Sequence, residues 1–263
     1  MQVSQEFARL VGPTLGGITV GYISIGAGLG LDAVMLCVSA IMLMFLKIPR
    51  VDHEPPNSHS ILRGFLHDLV GGLLELRKHS WLWITISAFA LINIASTGLT
   101  AILLPWLITV HLHLPDTSYG LVNSAAGLGA IVVAPFFGRK KAHRRRGYTA
   151  YGGIILNAVA LLFLALVHST IELMRLMVLA NGVIMIFMLV WESSLQELVP
   201  AETYGRVASL DLFGSWTLLP FGNVVSGWLA TKIGGVQTML IEGTFMICVA
   251  IGIMMIPSIR KFD

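Results

Sequence analysis

Eight apolar runs follow one another along the chain, at roughly residues 8–25, 28–46, 81–110, 119–137, 148–168, 171–195, 208–230 and 236–257. A bilayer core of about 30 Å takes roughly 20 apolar residues in helical form. Lipid offers no partner for backbone N–H and C=O groups, so each crossing must satisfy its own. The pattern predicts an all-α, polytopic membrane protein with eight transmembrane helices. Composition agrees: only 12% of the 263 residues are Asp, Glu, Lys or Arg, against about 25% in soluble domains. Cys37 and Cys248 each sit inside an apolar run without C-x-x-C spacing. They predict small buried hydrophobes, not a disulfide or a zinc site.

Orientation follows from the basic residues. Lys47, Arg50, Arg63, Arg77 and Lys78 lie between the second and third runs, and Arg139, Lys140, Lys141, Arg144, Arg145 and Arg146 between the fourth and fifth. Arg206, Arg260 and Lys261 fall on the same side if each run crosses once, while Lys232 and Arg175 fall on the other. The positive-inside rule then puts both termini in the cytoplasm. The run Arg139–Arg146 is a topogenic loop near anionic lipid and not a nucleic-acid patch.

Three regions are predicted: 1–46 with two crossings, 47–80 as a cytoplasmic connector, and 81–263 with six crossings. Pro55, Pro56 and Asn57 mark a linker, and from Ile61 to Arg77 apolar pairs recur every four residues. That spacing describes an amphipathic helix lying on the membrane surface. Pro105, near the end of the third run, predicts a kink.

Polar residues inside apolar runs carry the functional reading. Asp32, Glu192, Asp211 and Glu242 all fall within runs. A charge at mid-bilayer costs about 2.5–3.5 kcal/mol on insertion scales, so such residues usually face a bundle interior or a water-filled cavity. Glu192 and Glu242 are the deeper two. Glu172 and Arg175, three apart, are expected to pair. His111 and His113 have no further ligands nearby and read as solvated, so no metal site is expected. Gly26-Ala27-Gly28-Leu29-Gly30 follows no strand, so it is not a phosphate loop. Neither H-E-x-x-H nor G-x-S-x-G occurs, and no enzymatic activity is expected.

Two segments are denser in special residues than packing requires. Gly12-Pro13-Thr14-Leu15-Gly16-Gly17 puts small residues and a helix-bending proline in the first run, allowing close backbone approach. Gln196 to Val207 carries Pro200, Glu202, Gly205 and Arg206 in a tight turn after the sixth run. This second segment, continuing to Asp211, resembles the connection between the tenth and eleventh helices of major facilitator exporters. The branch it is most similar to contains enterobactin-exporter-like and actinobacterial multidrug permeases. Ala8 to Gly17 resembles that branch's fifth-helix antiporter motif, with Ala8 in place of the leading glycine. Tyr119-Gly120 to Gly138-Arg139 resembles its eighth helix and basic loop, and Phe213-Gly214 with Leu218 to Gly222 its eleventh.

The resemblance implies that the eight runs correspond to helices five to twelve, with the first four absent. It implies a bacterial plasma-membrane permease that exports small amphipathic molecules, of drug or siderophore type, on a proton gradient and without a cofactor. Glu192 would line the cavity, Glu202 and Arg206 would lock an inner gate beside Gly205, and Gly12, Pro13, Gly16 and Gly17 would contact a moving partner helix. The expected partners are lipid, the substrate and a missing N-terminal half. The alternatives are a non-transporting fragment, or a half that works with a separate chain.

Overall fold

A computed structural model describes residues 25–45, 74, 76, 77, 80–137 and 146–260. The described residues form helices and no strand. In chain order they are α1 (Ile25–Met44), α2 (Ser80–Thr97), α3 (Thr117–Phe137), α4 (Arg146–Phe163), α5 (Thr170–Leu198), α6 (Ala201–Trp216), α7 (Leu219–Ile233), α8 (Gly235–Met254) and the short α9 (Pro257–Arg260). The first predicted run, the surface helix of the connector except at its end, and the basic loop before Arg146 lie outside the described residues.

Four helical stretches are long and apolar enough to cross a membrane: Ser80–His111, Arg146–Leu166, Thr170–Leu198 and Gly235–Met254. They match the third, fifth, sixth and eighth runs. The stretches Gly28–Met44 and Thr117–Val133 are apolar but shorter. The seventh run is not one helix. It is divided at Thr217–Leu218 into α6 and α7. Pro220 stands in the first turn of α7, where its missing N–H costs nothing because first-turn donors have no helical acceptor anyway.

The third run is a single helical stretch, as expected. α2 continues through Pro105 to His111 as one 32-residue stretch. It does so by widening: Gly98–Leu103 and Leu107–His111 are π-helical. The Leu104 N–H reaches back to the Leu99 carbonyl and the Leu112 N–H to that of Leu107, five residues in each case. A proline gives no hydrogen bond to the residue four before it, and a wider turn reassigns the carbonyls around that gap.

α5 is the packing centre, with α3 on one side and α4 on the other. Small residues bring these backbones together. A Cβ placed on Gly129 would overlap the Val178 carbonyl oxygen and lie 3.0 Å from the Gly182 nitrogen. One on Gly153 would lie 2.8 Å from the Val183 carbonyl oxygen. Close approach of this kind suits helices in lipid, where packing contacts supply the association. α8 packs on α4 and α2, and α7 packs on α2 at its π-helical turn.

An aromatic cluster fills the space between α2, α4 and α5. Phe187 stacks on Phe89 at a centroid distance of 4.8 Å and meets Tyr151 edge-on at 6.3 Å. The Tyr151 hydroxyl donates to Thr85 Oγ1 at 2.7 Å, and Thr85 donates to the Trp81 carbonyl at 2.7 Å. The last described helix is α9, whose Ile259 is fully buried. Gly147 at the start of α4 lies so close to the Ile259 carbonyl that a Cβ there would overlap it.

Ser169 caps α5 through its hydroxyl, which accepts from the Glu172 N–H at 3.3 Å. Glu172 answers by accepting from the His168 N–H at 3.0 Å. This is a close variant of the reciprocal capping box. It uses the carboxylate that was expected to pair with Arg175, and no ion pair joins the two among the described residues. Cys37 and Cys248 are exposed on their helices, not buried as expected. An exposed position on an apolar helix faces lipid or a further helix, and a thiol tolerates either as readily as a core.

Candidate functional site

A cavity of about 350 Å3 opens among α2, α3, α4 and α5. Each helix offers it one face. Phe89, Asn93, Ser96 and Thr100 recur at three- and four-residue spacing on α2, and Met177, Asn181, Ile184 and Met188 do the same on α5. That spacing aligns side chains along one stripe of a helix. Asn123 projects from α3 and Asn157 from α4. Among the described residues, no Asp, Glu, Lys, Arg or His lines the cavity.

Four asparagines in an apolar bundle need partners, because an unpaired amide in hydrocarbon costs several kcal/mol. Each finds a backbone carbonyl. Asn157 Nδ2 donates to Ala180 O at 2.9 Å, joining α4 to α5, and Asn93 Nδ2 donates to Ser215 O at 3.4 Å, joining α2 to α6. Asn123 and Asn181 donate one turn back along their own helices, to Tyr119 O at 2.9 Å and Met177 O at 3.2 Å. An amide has two N–H donors and a carbonyl with two lone pairs. One donor of each side chain is therefore spent on holding it in place, and the remaining capacity is left for a guest. The size lies within the range of small-molecule sites, about 300–1,000 Å3, and the mixture of thioether, aromatic ring and amide is typical of them.

The predicted acids lie elsewhere. Glu192 is exposed on α5 and accepts from Gln196 Nε2 at 3.5 Å. It does not line the cavity. Asp211 is half-buried on α6 and accepts from Trp191 Nε1 at 3.0 Å, tying α6 to α5. Asp32 is exposed on α1. Glu242 is buried in α8 with its Oε1 bonded to the Ser226 hydroxyl of α7. Arg206 is half-buried in α6, whose first turn carries Glu202. Gly205 has open space around it, so no close backbone approach depends on it. Gly12, Pro13, Gly16 and Gly17 lie outside the described residues. Arg146 and Glu197 form an ion pair between the start of α4 and the end of α5.

Sequence reasoning missed the asparagines because it searched the spans for charge. The available signal was a neutral one: Asn93, Asn123, Asn157 and Asn181 occur once in each of four consecutive apolar runs. Uncharged amides in spanning helices bond across the bundle or face its interior for the same energetic reason as acids.

A sequence profile of the Major Facilitator Superfamily matches residues 1–216. Two curated relatives, both macrolide efflux protein A, come from Streptococcus pyogenes and from its serotype M6. Each is 21% identical to this chain over 264 aligned positions, covering all of this chain and 64% of the relative. The chain thus spans less than two thirds of the length of the relatives it matches. With this match and these apolar helices it is a multi-pass membrane protein, and it belongs to the Major Facilitator Superfamily.

Proposed function

We propose that the chain is part of an efflux transporter of a bacterial plasma membrane, and that its cavity binds uncharged, hydrogen-bonding portions of amphipathic small molecules. One observation carries this reading: four asparagines, fixed by backbone carbonyls, line a cavity that has no charged side chain among the described residues. Such a lining rewards hydroxyl and carbonyl groups on an apolar frame. It offers no counter-charge to an ion. The two relatives are named for macrolide efflux, and macrolides are a fitting class of ligand to test. Family membership supports movement of a compound, in place of its chemical conversion, as the activity. Proton coupling, the cytoplasmic placement of both termini and the correspondence with helices five to twelve belong to the same proposal.

A second feature favours a divided machine. Every residue from Leu29 to Phe45 is exposed, so α1 presents apolar surface all round. This supports a reading in which further helices, beyond those described, cover part of α1. Alternating access requires two bundles to rock about a midplane site. Binding, and not uphill transport, is therefore the measurement suited to this chain alone.

The test is fluorescence titration of Nile red, a neutral amphiphile, into the lipid-reconstituted chain, followed by competition with a macrolide. Asn181→Leu is expected to weaken binding about tenfold, the worth of one hydrogen bond to a buried amide. Asn123→Leu should act in the same direction. Unchanged affinity in both variants, with the fold intact, would remove the cavity from the proposal.

A further inference from the structure

A second recess, of about 480 Å3, lies at the other end of the bundle from the Arg146–Glu197 pair. Three connections form it: the end of the stretch that α2 begins, the segment between α4 and α5, and the turn between α7 and α8. Trp106, His111, Leu166, His168, Val236 and Gln237 stand in its walls. Among the described residues, none lines both this recess and the asparagine cavity.

The backbone sets this recess up. Trp106 and His111 are five residues apart, and at 3.6 residues per turn their side chains would point about 140° away from each other. The stretch Leu107–His111 is π-helical instead, and a turn closed five residues back returns the fifth residue almost above the first. The two rings therefore stack, with centroids 5.5 Å apart and planes 24° from parallel. Beyond them the chain leaves the helix. His113 has a φ of 51°, and the Leu114 N–H reaches the Ile108 carbonyl, six residues back, at 2.9 Å. This left-handed closure ends the helix, and His113 does not line the recess.

The other two walls are fixed as well. A Cβ on Gly235 would overlap the Trp106 ring, so the indole lies directly against the start of α8. Gly234 takes a φ of 91°, and Gln237 Oε1 is folded back to 2.7 Å from where a Gly234 Cβ would stand. The backbone of His168 is held by its N–H, which donates to Glu172 Oε2 at 3.0 Å. His111, His168 and Gln237 are exposed, and their side chains make no hydrogen bond to another described residue. Their donors and acceptors are open to a guest.

The lining selects by shape and by edge. Stacked rings offer a flat face to a planar aromatic guest. The amide and each imidazole carry both a donor and an acceptor, and a hydroxyl on the guest's ring is likewise both. Among the described residues, no Asp, Glu, Lys or Arg lines the recess, so recognition falls to rings and hydrogen bonds. Wide helical turns recur at functional sites, and here one of them builds the ring pair. We infer that the recess is a second ligand site, one that takes a planar phenolic molecule from the water at that end of the bundle. It is independent of the asparagine cavity, and loss of either reading leaves the other standing.

The experiment is acylation of the reconstituted chain with diethyl pyrocarbonate, which modifies imidazole nitrogen, mapped by mass spectrometry with and without 2-naphthol. His113, exposed but outside the recess, is the internal reference for reagent consumed by the probe. 2-Naphthol should slow modification of His111 and His168 saturably and leave His113 unchanged. Gln237→Leu, at an exposed position, should raise the concentration needed about tenfold, the worth of one hydrogen bond. Trp106→Leu should remove the protection. Asn181→Leu should leave it as in the parent, since that residue lines only the cavity. Equal protection of His113, protection that never saturates, no protection, or full protection in Trp106→Leu would overturn the site. Naphthalene that protects as well as 2-naphthol, or Gln237→Leu without effect, would overturn the phenolic ligand. Protection altered by Asn181→Leu would overturn the independence of the two sites.

Discussion

Gly129→Val is expected to prevent α3 from seating on α5 and to leave little folded protein after solubilisation. The hydrogen it replaces faces backbone: a Cβ there would overlap the Val178 carbonyl oxygen, with the Val178 carbonyl carbon at 2.9 Å and the Gly182 nitrogen at 3.0 Å. A flexible side chain yields to an added methyl group, but two helical backbones must separate as rigid bodies. Overpacking in ordinary cores costs about 1–3 kcal/mol, and an overlap with backbone belongs at or beyond the upper end of that range. The loss would extend past one contact, because α3 supplies Asn123 to the cavity and α5 supplies Asn181. Gly152→Val is the control, since nothing lies within 4 Å of a Cβ at that position. The measurement is thermal unfolding and monodispersity in one detergent for both variants. Equal stability of the two would show that the α3–α5 seam does not hold the bundle together.

Phe187→Ala is expected to lower stability by about 3 kcal/mol and to loosen ligand binding at the same time. Phe187 is 1% exposed and touches Phe89, Tyr151 and Trp191, whose ring centroids lie 4.8, 6.3 and 6.3 Å away. In water, much of a Phe→Ala loss is transfer of apolar surface. In lipid the surroundings are apolar on both sides, so the loss comes from vanished packing contacts and the void left behind. That void would open beneath Phe89, which lines the cavity. Phe89 would lose its stacking partner and the cavity its fixed wall. Phe187→Leu fills most of the space and should recover much of the stability without the ring stacking. Thermal unfolding together with Nile red titration decides the matter. An alanine variant as stable as the parent would mean that the aromatic cluster fills space without fixing the helices.

What composition encodes was legible. Long apolar runs gave the crossings that became α2, α4, α5 and α8, since a run of suitable length is itself the physical requirement for spanning. What hydrogen-bond register encodes was not. The division at Thr217–Leu218 leaves the sequence apolar on both sides, so the seventh run reads as unbroken although Pro220 begins a new helix. The π-helical turns around Pro105 have no compositional mark either: the proline predicts a kink, and nothing in the sequence says that the turns on either side of it widen. Glu172 shows the limit of spacing rules, since three-residue separation from Arg175 permits a pair but the helix cap has the stronger claim on a carboxylate in a first turn. The cavity was concealed by a search for charge. Its residues are neutral, and what makes them a site is that four helices bring them to one place.

The burial of Ile259 in α9 has a consequence for anyone handling this protein. The last described turn is a stopper, seated against Gly147 with its carbonyl in backbone contact. A purification tag or reporter fused directly after Arg260 would pull on an interior element. Trimming the chain back to Met254, which leaves α8 whole, would remove this stopper and uncover Gly147 at the start of α4.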